Sequence, residues 1–530
     1  MLIGLLAVGI DVAFVWWLFS SAGVLTRDQR GIVIAAEVVV VSSIGLMELA
    51  RLLQAVSLSL ASVIACDPKT PPNAVGLRVA MLTTIVPDRE PIEMVAKTLA
   101  AAKKVRCRGL RVWLLDEGDS AEVRAVCRRL KVKHFSRRNK RRYNTEAGQF
   151  EAKTKHGNLN AWLDAHGADY DVILCVDPDH VPNPEFAELV LGYFNDPDVA
   201  YVVGPQFYGN VEHFVSRAAE SQQFPFHSII QRAGNRYRSP ILVGTNNAIR
   251  VGALQAAGGF VASITEDLAT GLVIQAQRNP LTGNRWESVY VPDVLAVGEG
   301  PASWGDYFGQ QARWSRGGIQ VIGRTFLPRI TRLRPQAILQ YILITSFYPT
   351  MALGWLLGAV NAVLFVVLHA RGIVVPIGVW AALYADTTMF QLWVYLRARR
   401  HNVSPFDRAS SGGLLGMAMT VVTAPIYAGA LLNALAFRRG RFTVTPKGKS
   451  STGDSWRTFR RHLGWVAVYL VVVIVLLATG SSPAVLWWPT LALLTASAPS
   501  LLWWGQSRRR PAPARAPVRL ATAEVAVAQS

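Results

Sequence analysis

Long apolar segments near both ends of the chain constrain its fold most strongly. Two of them cover about residues 2–20 and 31–49, and others recur from about residue 338 onward. An α-helix needs roughly 20 apolar residues to cross a bilayer. The first run lacks a basic n-region and a small-residue cleavage site, so it predicts a membrane anchor and not a cleaved signal peptide. The later crossings are predicted at about 338–369, 373–396, 463–477 and 484–504.

Positive charge collects beside these apolar segments. The formal net charge is +20, and a soluble protein with that charge would be a candidate for nucleic-acid binding. Lys and Arg next to apolar runs instead follow the positive-inside rule, which places such loops in the cytoplasm. Because no nucleic-acid-binding motif accompanies the charge, nucleic acid is not an expected partner.

The apolar run at about 414–437 is an exception among the segments. It is long enough to cross a membrane, but arginines lie on both sides of it, so both of its ends are predicted to be cytoplasmic. Pro425 also interrupts it. We therefore predict an interfacial or re-entrant helix, with two crossings before the middle domain and four after it. The flanking arginines are Arg397, Arg399, Arg400, Arg408, Arg438, Arg439 and Arg441.

One carboxylate, Asp11, lies inside the first apolar run. An ionisable side chain at membrane depth is costly and suggests a functional role by default. The alternatives are a partner within the helix bundle or a position near the membrane surface. We favour these alternatives over a functional role.

The middle of the chain has the pattern of a soluble α/β domain, which starts after a Pro-rich break at 67–72. Strand-like and helix-like runs alternate, as in a parallel sheet. The strand predicted at 172–176 is apolar on both faces, which is typical of a buried parallel strand. Its neighbours in this pattern are the runs at 79–86, 92–104, 110–115 and 121–130.

The four cysteines form no C-x-x-C pair, and we expect them to be reduced, structural and cytoplasmic. They are Cys66, Cys107, Cys127 and Cys175.

Two carboxylates, Asp177 and Asp179, follow the strand predicted at 172–176. At the carboxyl end of a strand, the chain turns into the crevice where α/β sheets bind ligands. Two Asp side chains suit Mg²⁺ or Mn²⁺, which keep open positions for substrate phosphates. A D-x-D pair also arises by chance, so its place after a buried strand is what favours a metal site.

Three further motifs each have a structural and a functional interpretation. Asp116 ends a second apolar strand, where a turn with a capping residue is the structural alternative. Lys155 starts the helix entry Lys-His-Gly-Asn-Leu-Asn, which suits an anion or is simply a capped helix start. In Thr265-Glu266-Asp267, an acid either complements a helix N-terminus or acts as a general base on an acceptor hydroxyl.

A fourth motif places Gln310, Arg313 and Trp314 on one helical face, because their spacing is i, i+3 and i+4. An indole beside an amide and a guanidinium offers a platform for a sugar ring, with donors for its hydroxyls or for a phosphate. The structural alternative is a helix with one buried Trp.

Taken in this order, the motifs resemble those of the processive family-two glycosyltransferases, most closely the bacterial cellulose synthase catalytic subunits. The resemblance covers roughly residue 79 to the last predicted crossings. Residues 442–448, Phe-Thr-Val-Thr-Pro-Lys-Gly, resemble the gating loop of cellulose synthases and favour UDP-glucose as the donor. The implied fold is a GT-A-type, Rossmann-like α/β cytoplasmic domain plus an α-helical transmembrane bundle.

The resemblance also implies a role for each motif residue. Asp267 would be the catalytic base, and Asp177 and Asp179 would hold Mg²⁺ (or Mn²⁺). Contacts to the donor or its nucleotide are implied for Glu90, Asp116, Lys155, Asp177, His180, Thr445 and Lys447. Contacts to the acceptor or the donor are implied for Glu266, Gln310, Arg313 and Trp314.

The chain departs from the family pattern in places. Asp116-Glu117-Gly118 stands where the family usually has Asp-Asp-Gly, and residues 87–90 differ from the usual Thr/Ser-Tyr-Asn/Asp-Glu. The acceptor-side Phe-Phe-Cys-Gly-Ser corresponds to Leu-Val-Gly-Thr-Asn-Asn at 242–247, which leaves the acceptor and the linkage open. The tail is too short for a PilZ domain, so control by cyclic-di-GMP is not expected.

The expected function is inverting, processive transfer of glucose from UDP-glucose to the non-reducing end of a β-glucan, β-1,4 by default, coupled to export. The alternatives are a β-1,3 or mixed-linkage glucan, chitin, hyaluronan or mannan synthase, or a catalytically silent polysaccharide channel or scaffold. The expected partners are the donor, the growing polysaccharide, membrane lipid and an envelope accessory subunit. The expected location is the inner (plasma) membrane, with the catalytic domain in the cytoplasm. The predicted parts are 1–66, 67–330, 331–462, 463–505 and a disordered basic tail at 506–530.

Overall fold

The computed structural model of the chain describes residues 2–20, 31–74, 76–370, 376–406, 413–436, 453–481 and 483–508. An α/β domain occupies the middle of the chain, and long helices precede and follow it. Thr445, Lys447, Arg408 and most of the predicted basic tail lie outside the described residues.

A seven-stranded mixed sheet forms the centre of the α/β domain, with a three-stranded sheet beside it. The strands are β1 Val79–Ile85, β2 Arg111–Asp116, β3 Lys133–Phe135, β4 Val172–Cys175, β5 Val181–Pro182, β6 Val199–Val203, β7 Phe207–Tyr208, β8 Asn247–Arg250, β9 Glu287–Tyr290 and β10 Ala296–Gly298. The large sheet has the order β3-β2-β1-β4-β8-β6-β9. The first four of these are parallel, as predicted, whereas β8 is antiparallel to both β4 and β6. The alternation of runs could not predict this, because an apolar pattern has no direction.

Helices cover both faces of the large sheet and continue into the long helices. In chain order they are α1 Leu2–Ser20, α2 Gly31–Ile64, α3 Ile92–Ala102, α4 Ala121–Leu130, α5 Lys155–His166, α6 Phe186–Leu191, α7 Phe214–Gln222, α8 Arg232–Arg236, α9 Val251–Ala256, α10 Glu266–Gln275, α11 Trp304–Val321, α12 Pro335–Leu368, α13 Ile377–Ala398, α14 Leu414–Val422, α15 Ala424–Leu435, α16 Arg460–Ala478 and α17 Pro483–Ser507. Alternate residues of β1 enter two cores: Met81 packs with α3 and α4, and Leu82 packs with α5 and α10. This period of two is the pattern of a strand buried on both faces.

Four helices of the described chain are long and apolar enough to cross a membrane, so the chain is that of a membrane protein. They are Gly31–Ile64, Pro335–Leu368, Trp456–Ala478 and Val485–Ser507. The crossings predicted at 2–20 and 373–396 correspond to α1 and α13, which are helical but are not among these four. Asp386 and Gln391 interrupt the apolar sequence of α13. The predicted total of six crossings therefore stays a prediction.

The apolar run predicted as an interfacial or re-entrant helix forms α14 and α15, which are bent by 42° at a short break. Thr423 lies at the break and Pro425 begins the second helix, where its ring and missing N–H prevent a straight continuation. The first helix lies against α7 of the α/β domain, where Gln222 Nε2 donates to Thr420 Oγ1 at 3.1 Å. Such a bend fits a re-entrant helix or a broken crossing, so the interfacial placement stays a prediction.

Asp11 has a partner within the helix bundle, as the favoured interpretation of the sequence predicted. Its Oδ1 accepts a hydrogen bond from Arg51 on α2 at 2.7 Å, and Arg51 also pairs with Glu48 at 2.7 Å. The Arg51 guanidinium lies 5.4 Å from the centre of the Phe14 ring. Pairing of this kind is how a carboxylate is tolerated among apolar helices.

Candidate active site

The carboxyl ends of β1, β2 and β4 meet at one edge of the large sheet, because these strands are parallel neighbours. The chain beyond β4 carries Asp177 and Asp179, and the end of β2 is Asp116. A crevice at this edge is lined by strand ends, by the start of α5 and by the start of α10. The sequence-predicted Lys155, Glu266 and Asp267 all line it.

Lys155 is the basic residue at the centre of this crevice. Its Nζ donates to Asp177 Oδ1 at 2.6 Å and to the carbonyl oxygen of Gly244 at 2.9 Å. Glu266 Oε1 lies 3.8 Å from the same nitrogen. Thr154 caps α5 by accepting from the backbone N–H of Gly157 at 3.2 Å, which fixes the helix end that carries Lys155.

A candidate site for a divalent cation lies next to Lys155. Ligand atoms of Asp177, Asp179 and His180 all lie within 4.8 Å of one another. His180 is fully buried, and among the described residues neither of its ring nitrogens has a hydrogen-bond partner, although Nδ1 lies 3.4 Å from Asp179 Oδ1. A buried imidazole without a hydrogen bond fits a metal ligand. A buried ring nitrogen has lost its hydrogen bonds to water, and coordination of a metal ion would compensate for that loss. From sequence, His180 is predicted to contact the nucleotide and is not predicted to be a metal ligand.

Thr245 fixes the first of these acids from the other side of the crevice. Its Oγ1 accepts from the backbone N–H of Asp177 at 3.0 Å. Asn247 completes the same loop, since its Nδ2 donates to the carbonyl oxygen of Val243 at 2.6 Å. The segment 242–247, which departs from the family sequence, therefore supports the loop that carries Asp177 and supplies the carbonyl that holds Lys155.

Glu266 and Asp267 form a partly buried acid pair at the start of α10. Burial, followed by the negative charge of Glu266, raises the pKa of Asp267 to about 7. Burial likewise raises the pKa of Glu266, and the ammonium of Lys155 opposes that increase. The backbone N–H of Leu268 donates to Asp267 Oδ1 at 2.8 Å. A carboxyl group whose pKa lies near neutrality is suited to accept and release a proton.

The helix α11 carries Gln310, Arg313 and Trp314 past this acid pair. Burial lowers the pKa of Arg313. The negative charges of Glu266 and Asp177 partly oppose this decrease, so both carboxylates lie close to the guanidinium. Gln310 Nε2 donates to Tyr208 Oη at 3.3 Å, and Trp314 is half-buried. The predicted shared face is therefore present, and the structure places its guanidinium beside the crevice.

The approach of α11 to the acid pair depends on Gly317. A Cβ at this position would lie 2.4 Å from Thr265 Cγ2, so a larger side chain would push the start of α10 away. This contact was not predicted, because a glycine inside a helix has no pattern that names its neighbour.

Asp116 and Glu90, predicted to contact the donor, lie inside turns at the same edge. Asp116 is fully buried, and its two oxygens accept the backbone N–H groups of Gly118 and Ser120 at 2.8 Å each. Glu90 Oε2 accepts the backbone N–H of Val86 at 2.7 Å. Both side chains shape the loops beside the crevice, and their predicted contacts to the donor stay predictions.

Glu117 and Arg137 form an ion pair that no sequence pattern predicts. The Arg137 guanidinium meets the carboxylate through two bonds, Nε to Oε2 at 3.0 Å and Nη2 to Oε1 at 2.9 Å. Arg137 is fully buried and also donates to four backbone carbonyl oxygens. Those carbonyls belong to Tyr143, Phe150, Glu151 and Thr154. The longer side chain of Glu117, at a position where the family usually has Asp, reaches this guanidinium.

Comparison with known proteins agrees with this geometry. The profile of glycosyl transferase family 2 matches residues 85–258, and that of glycosyl transferase family group 2 matches residues 172–399. The cellulose synthase catalytic subunit of Xanthomonas axonopodis pv. citri is 28% identical over 241 residues, which are 44% of this chain and 30% of that protein. The corresponding subunit of Komagataeibacter sucrofermentans is 25% identical over 315 residues, 56% of this chain and 38% of that protein.

A solved mannosyltransferase from Pyrobaculum calidifontis, in complex with GDP-mannose and Mn²⁺, has the same fold. Its TM-score is 0.50 at 16% identity, and the match covers 76% of this chain and all of that one. The mixed sheet, the acids at its edge and these matches define a glycosyltransferase with a GT-A-type domain, as predicted. The profile matches mark a glycosyltransferase family 2 domain, and the chain is similar to cellulose synthase catalytic subunits over part of its length. The matched regions span well under half of the length of these curated relatives.

Proposed function

We propose that the protein is an inverting, processive glycosyltransferase that transfers glucose from UDP-glucose to the non-reducing end of a growing β-glucan and exports the polymer. One observation supports this most: Asp267 lies close enough to interact electrostatically both with Lys155 and with Tyr348 of the membrane helix α12. The acid pair thus lies between the proposed donor site and the first helix after the domain. An acceptor chain held there would already be at the entrance to the membrane.

The residues divide the proposed reaction between them. A divalent ion held by Asp177, Asp179 and His180 would neutralise the leaving diphosphate. Lys155 and Arg313 add positive charge beside it, and Asp267 accepts the proton of the attacking hydroxyl. Because the hydroxyl attacks the anomeric carbon directly, an α-linked donor gives a β-linked product and no protein nucleophile is needed.

Aromatic residues between α12, α16 and α17 support the export part of the proposal. The Trp355 ring lies 5.8 Å from that of Trp465 and 5.5 Å from that of Tyr469. Trp355 Nε1 is buried without a hydrogen-bond partner among the described residues, whereas the Trp488 side chain lies within hydrogen-bonding reach of Tyr469. Aromatic faces with nearby donors are suited to sugar rings. The membrane lipid and an envelope accessory subunit remain proposed partners.

We infer the donor and the linkage from the similarity to cellulose synthases, whose names describe them as UDP-forming. The gating-loop motif at 442–448 also favours UDP-glucose, although it lies outside the described residues.

To test the proposed function, the purified protein in lipid nanodiscs would be supplied with a panel of UDP-sugars and GDP-mannose. We expect UDP release and polymer with UDP-glucose, and β-1,4 bonds in linkage analysis. Turnover of another donor, or other bonds, would favour the related synthases, whereas no turnover at all would favour a silent channel or scaffold.

Removal of divalent metal should abolish transfer. EDTA is expected to lower the rate of UDP release at least about 100-fold, because the leaving diphosphate then has no ion to neutralise it. Mn²⁺ should restore activity more effectively than Mg²⁺, since Mg²⁺ demands oxygen ligands in near-ideal octahedral geometry and the candidate site includes an imidazole. The measurement is UDP release after EDTA treatment and titration with each ion. Undiminished activity in EDTA would contradict the metal role.

Activity should increase with pH through neutrality. Burial raises the pKa of Asp267 to about 7, and only the ionised carboxylate can accept a proton, so the base is present above that pH and lost below it. On the acid side of the profile, log kcat should increase by about one per pH unit. The apparent pKa of this limb describes the Glu266–Asp267 pair together and neither residue alone. The measurement is kcat for UDP release from roughly pH 5 to 9. A flat profile down to pH 5 would show that no group with a raised pKa serves as the base.

A further inference from the structure

The acid cluster contains a positive charge of its own. Lys155 Nζ lies 2.6 Å from Asp177 Oδ1 and 3.8 Å from Glu266 Oε1, and the charge of Asp267 also acts on it. Its side chain is 22% exposed, so water screens these interactions only in part. The ammonium is fixed in place as well, because the carbonyl oxygen of Gly244 accepts from it at 2.9 Å.

This ammonium uses the same carboxylate that the metal would need. Asp177 belongs to the group with Asp179 and His180 whose ligand atoms lie within 4.8 Å of one another. A divalent ion bound by these three residues would lie close to the Lys155 ammonium, because that ammonium is hydrogen-bonded to Asp177, one of the ligands of the ion. Repulsion between two cations at such a short distance is strong where the surroundings are partly dry. Lys155 therefore opposes binding of the metal ion alone.

A nucleoside diphosphate changes this balance. Its phosphate oxygens carry negative charge and accept charge-assisted hydrogen bonds from an ammonium group as a carboxylate does. Lys155 could then bind phosphate in place of Asp177, which would leave the carboxylate to the metal. The ion and the diphosphate would each make the site more favourable for the other.

We propose that Lys155 acts as a resident cation that excludes metal from the empty site, so that metal and nucleoside diphosphate bind cooperatively. This rests on the proposed use of a sugar nucleotide as donor. The coupling is reciprocal, since a ligand that tightens metal binding must itself be tightened by metal to the same extent. It assigns to Lys155 a role in positioning and in binding order, in addition to its expected contact with the nucleotide.

The test measures Mn²⁺ affinity without any turnover. The full-length protein in nanodiscs of uncharged lipid is titrated with Mn²⁺, and free ion is followed by electron paramagnetic resonance, with and without UDP. In the wild type, we expect UDP to tighten Mn²⁺ binding at least about tenfold. In Lys155→Gln, Mn²⁺ alone should bind about tenfold more tightly than in the wild type, and UDP at saturating Mn²⁺ should bind about tenfold more weakly.

Three variants make the result specific. Lys153→Gln removes a positive charge from an exposed side chain of the same loop and should leave the Mn²⁺ affinity unchanged. Lys155→Arg keeps the charge and should keep the weak binding of Mn²⁺ alone. Adding Asp177→Asn to Lys155→Gln should remove the gained affinity, which would locate the ion at this site.

Two outcomes would overturn the proposal. One is Mn²⁺ binding to Lys155→Gln that is no tighter than to the wild type. The other, which needs no variant to fold, is wild-type Mn²⁺ affinity that UDP does not change. Failure of the proposed function would look different, because the wild type would then release UDP from no sugar nucleotide whatever its Mn²⁺ affinity.

Discussion

Asp267→Asn should reduce transfer at least about 1,000-fold while UDP and Mn²⁺ still bind. An amide has nearly the shape of a carboxylate but cannot accept the proton of the attacking hydroxyl. Burial raises the pKa of Asp267, so the folded protein holds its ionised form at a cost, and the neutral amide removes that cost. The thermal midpoint should therefore stay unchanged or increase slightly. The measurements are polymer formation, UDP affinity and the thermal midpoint in nanodiscs.

The matched control for this prediction is Asp169→Asn, which makes the same change at an exposed position of the same domain. It should leave activity and stability at wild-type values, since isolated surface substitutions have small effects. Wild-type polymer formation by Asp267→Asn would exclude this residue as the base. Loss of UDP binding together with activity would instead show that the substitution had disturbed the whole crevice.

Arg137→Met should destabilise the catalytic domain and lower the affinity for UDP. The substitution leaves the Glu117 carboxylate without its bidentate partner and removes donors from four carbonyl oxygens. Breaking a buried ion pair costs about 3–5 kcal/mol of unfolding free energy, which corresponds to a fall of roughly 10 °C in Tm for a domain of this size. One of the carbonyls belongs to Thr154, the cap of the helix that starts with Lys155, so the donor site should loosen too.

Arg142→Met is the matched control, because Arg142 lies in the same loop with a largely exposed side chain and pairs with Asp164 at the surface. Its effect on stability should be within about 0.5 kcal/mol. Glu117→Asp keeps the charge but shortens the side chain, and it should reproduce part of the Arg137→Met defect. Equal midpoints for Arg137→Met and Arg142→Met would refute the assigned role of the ion pair. The measurement is thermal unfolding followed by intrinsic fluorescence.

Gly157 shows how closely this ion pair is built into the helix start. A Cβ there would lie 2.3 Å from the carbonyl oxygen of Glu151 and 2.6 Å from Arg137 Nη1. The glycine of Lys-His-Gly-Asn-Leu-Asn is therefore required by packing. From sequence, the motif predicted a helix start suited to an anion, and the structure adds the guanidinium behind it.

The positions of the acids at the carboxyl ends of the parallel strands could be predicted, because the local sequence pattern determines where each strand ends. Apolar strands that end in Asp or are closely followed by it place the carboxylate at the same edge when they are parallel, as β2 and β4 do on either side of β1. The same reasoning could not identify Arg137, which stands in a run with Arg138, Arg141 and Arg142. Only the fold shows that one of these is buried while Arg142 is exposed.

By itself, the sequence determined an α/β domain between groups of apolar helices, the acids at its sheet edge and the residues that start α5 and α10. These follow from hydrophobic periodicity and from chemistry carried by neighbouring residues. Only the tertiary structure decided that Asp11 pairs with Arg51, that a His180 ring nitrogen lies within 4.8 Å of carboxylate oxygens of Asp177 and Asp179, and that Lys155 pairs with Asp177. Asp11 and Arg51, like Lys155 and Asp177, are far apart in the chain, whereas His180 follows Asp179 directly and only its ring orientation had to come from the structure. Charge pairing across such distances depends on packing, which no local pattern of residues contains.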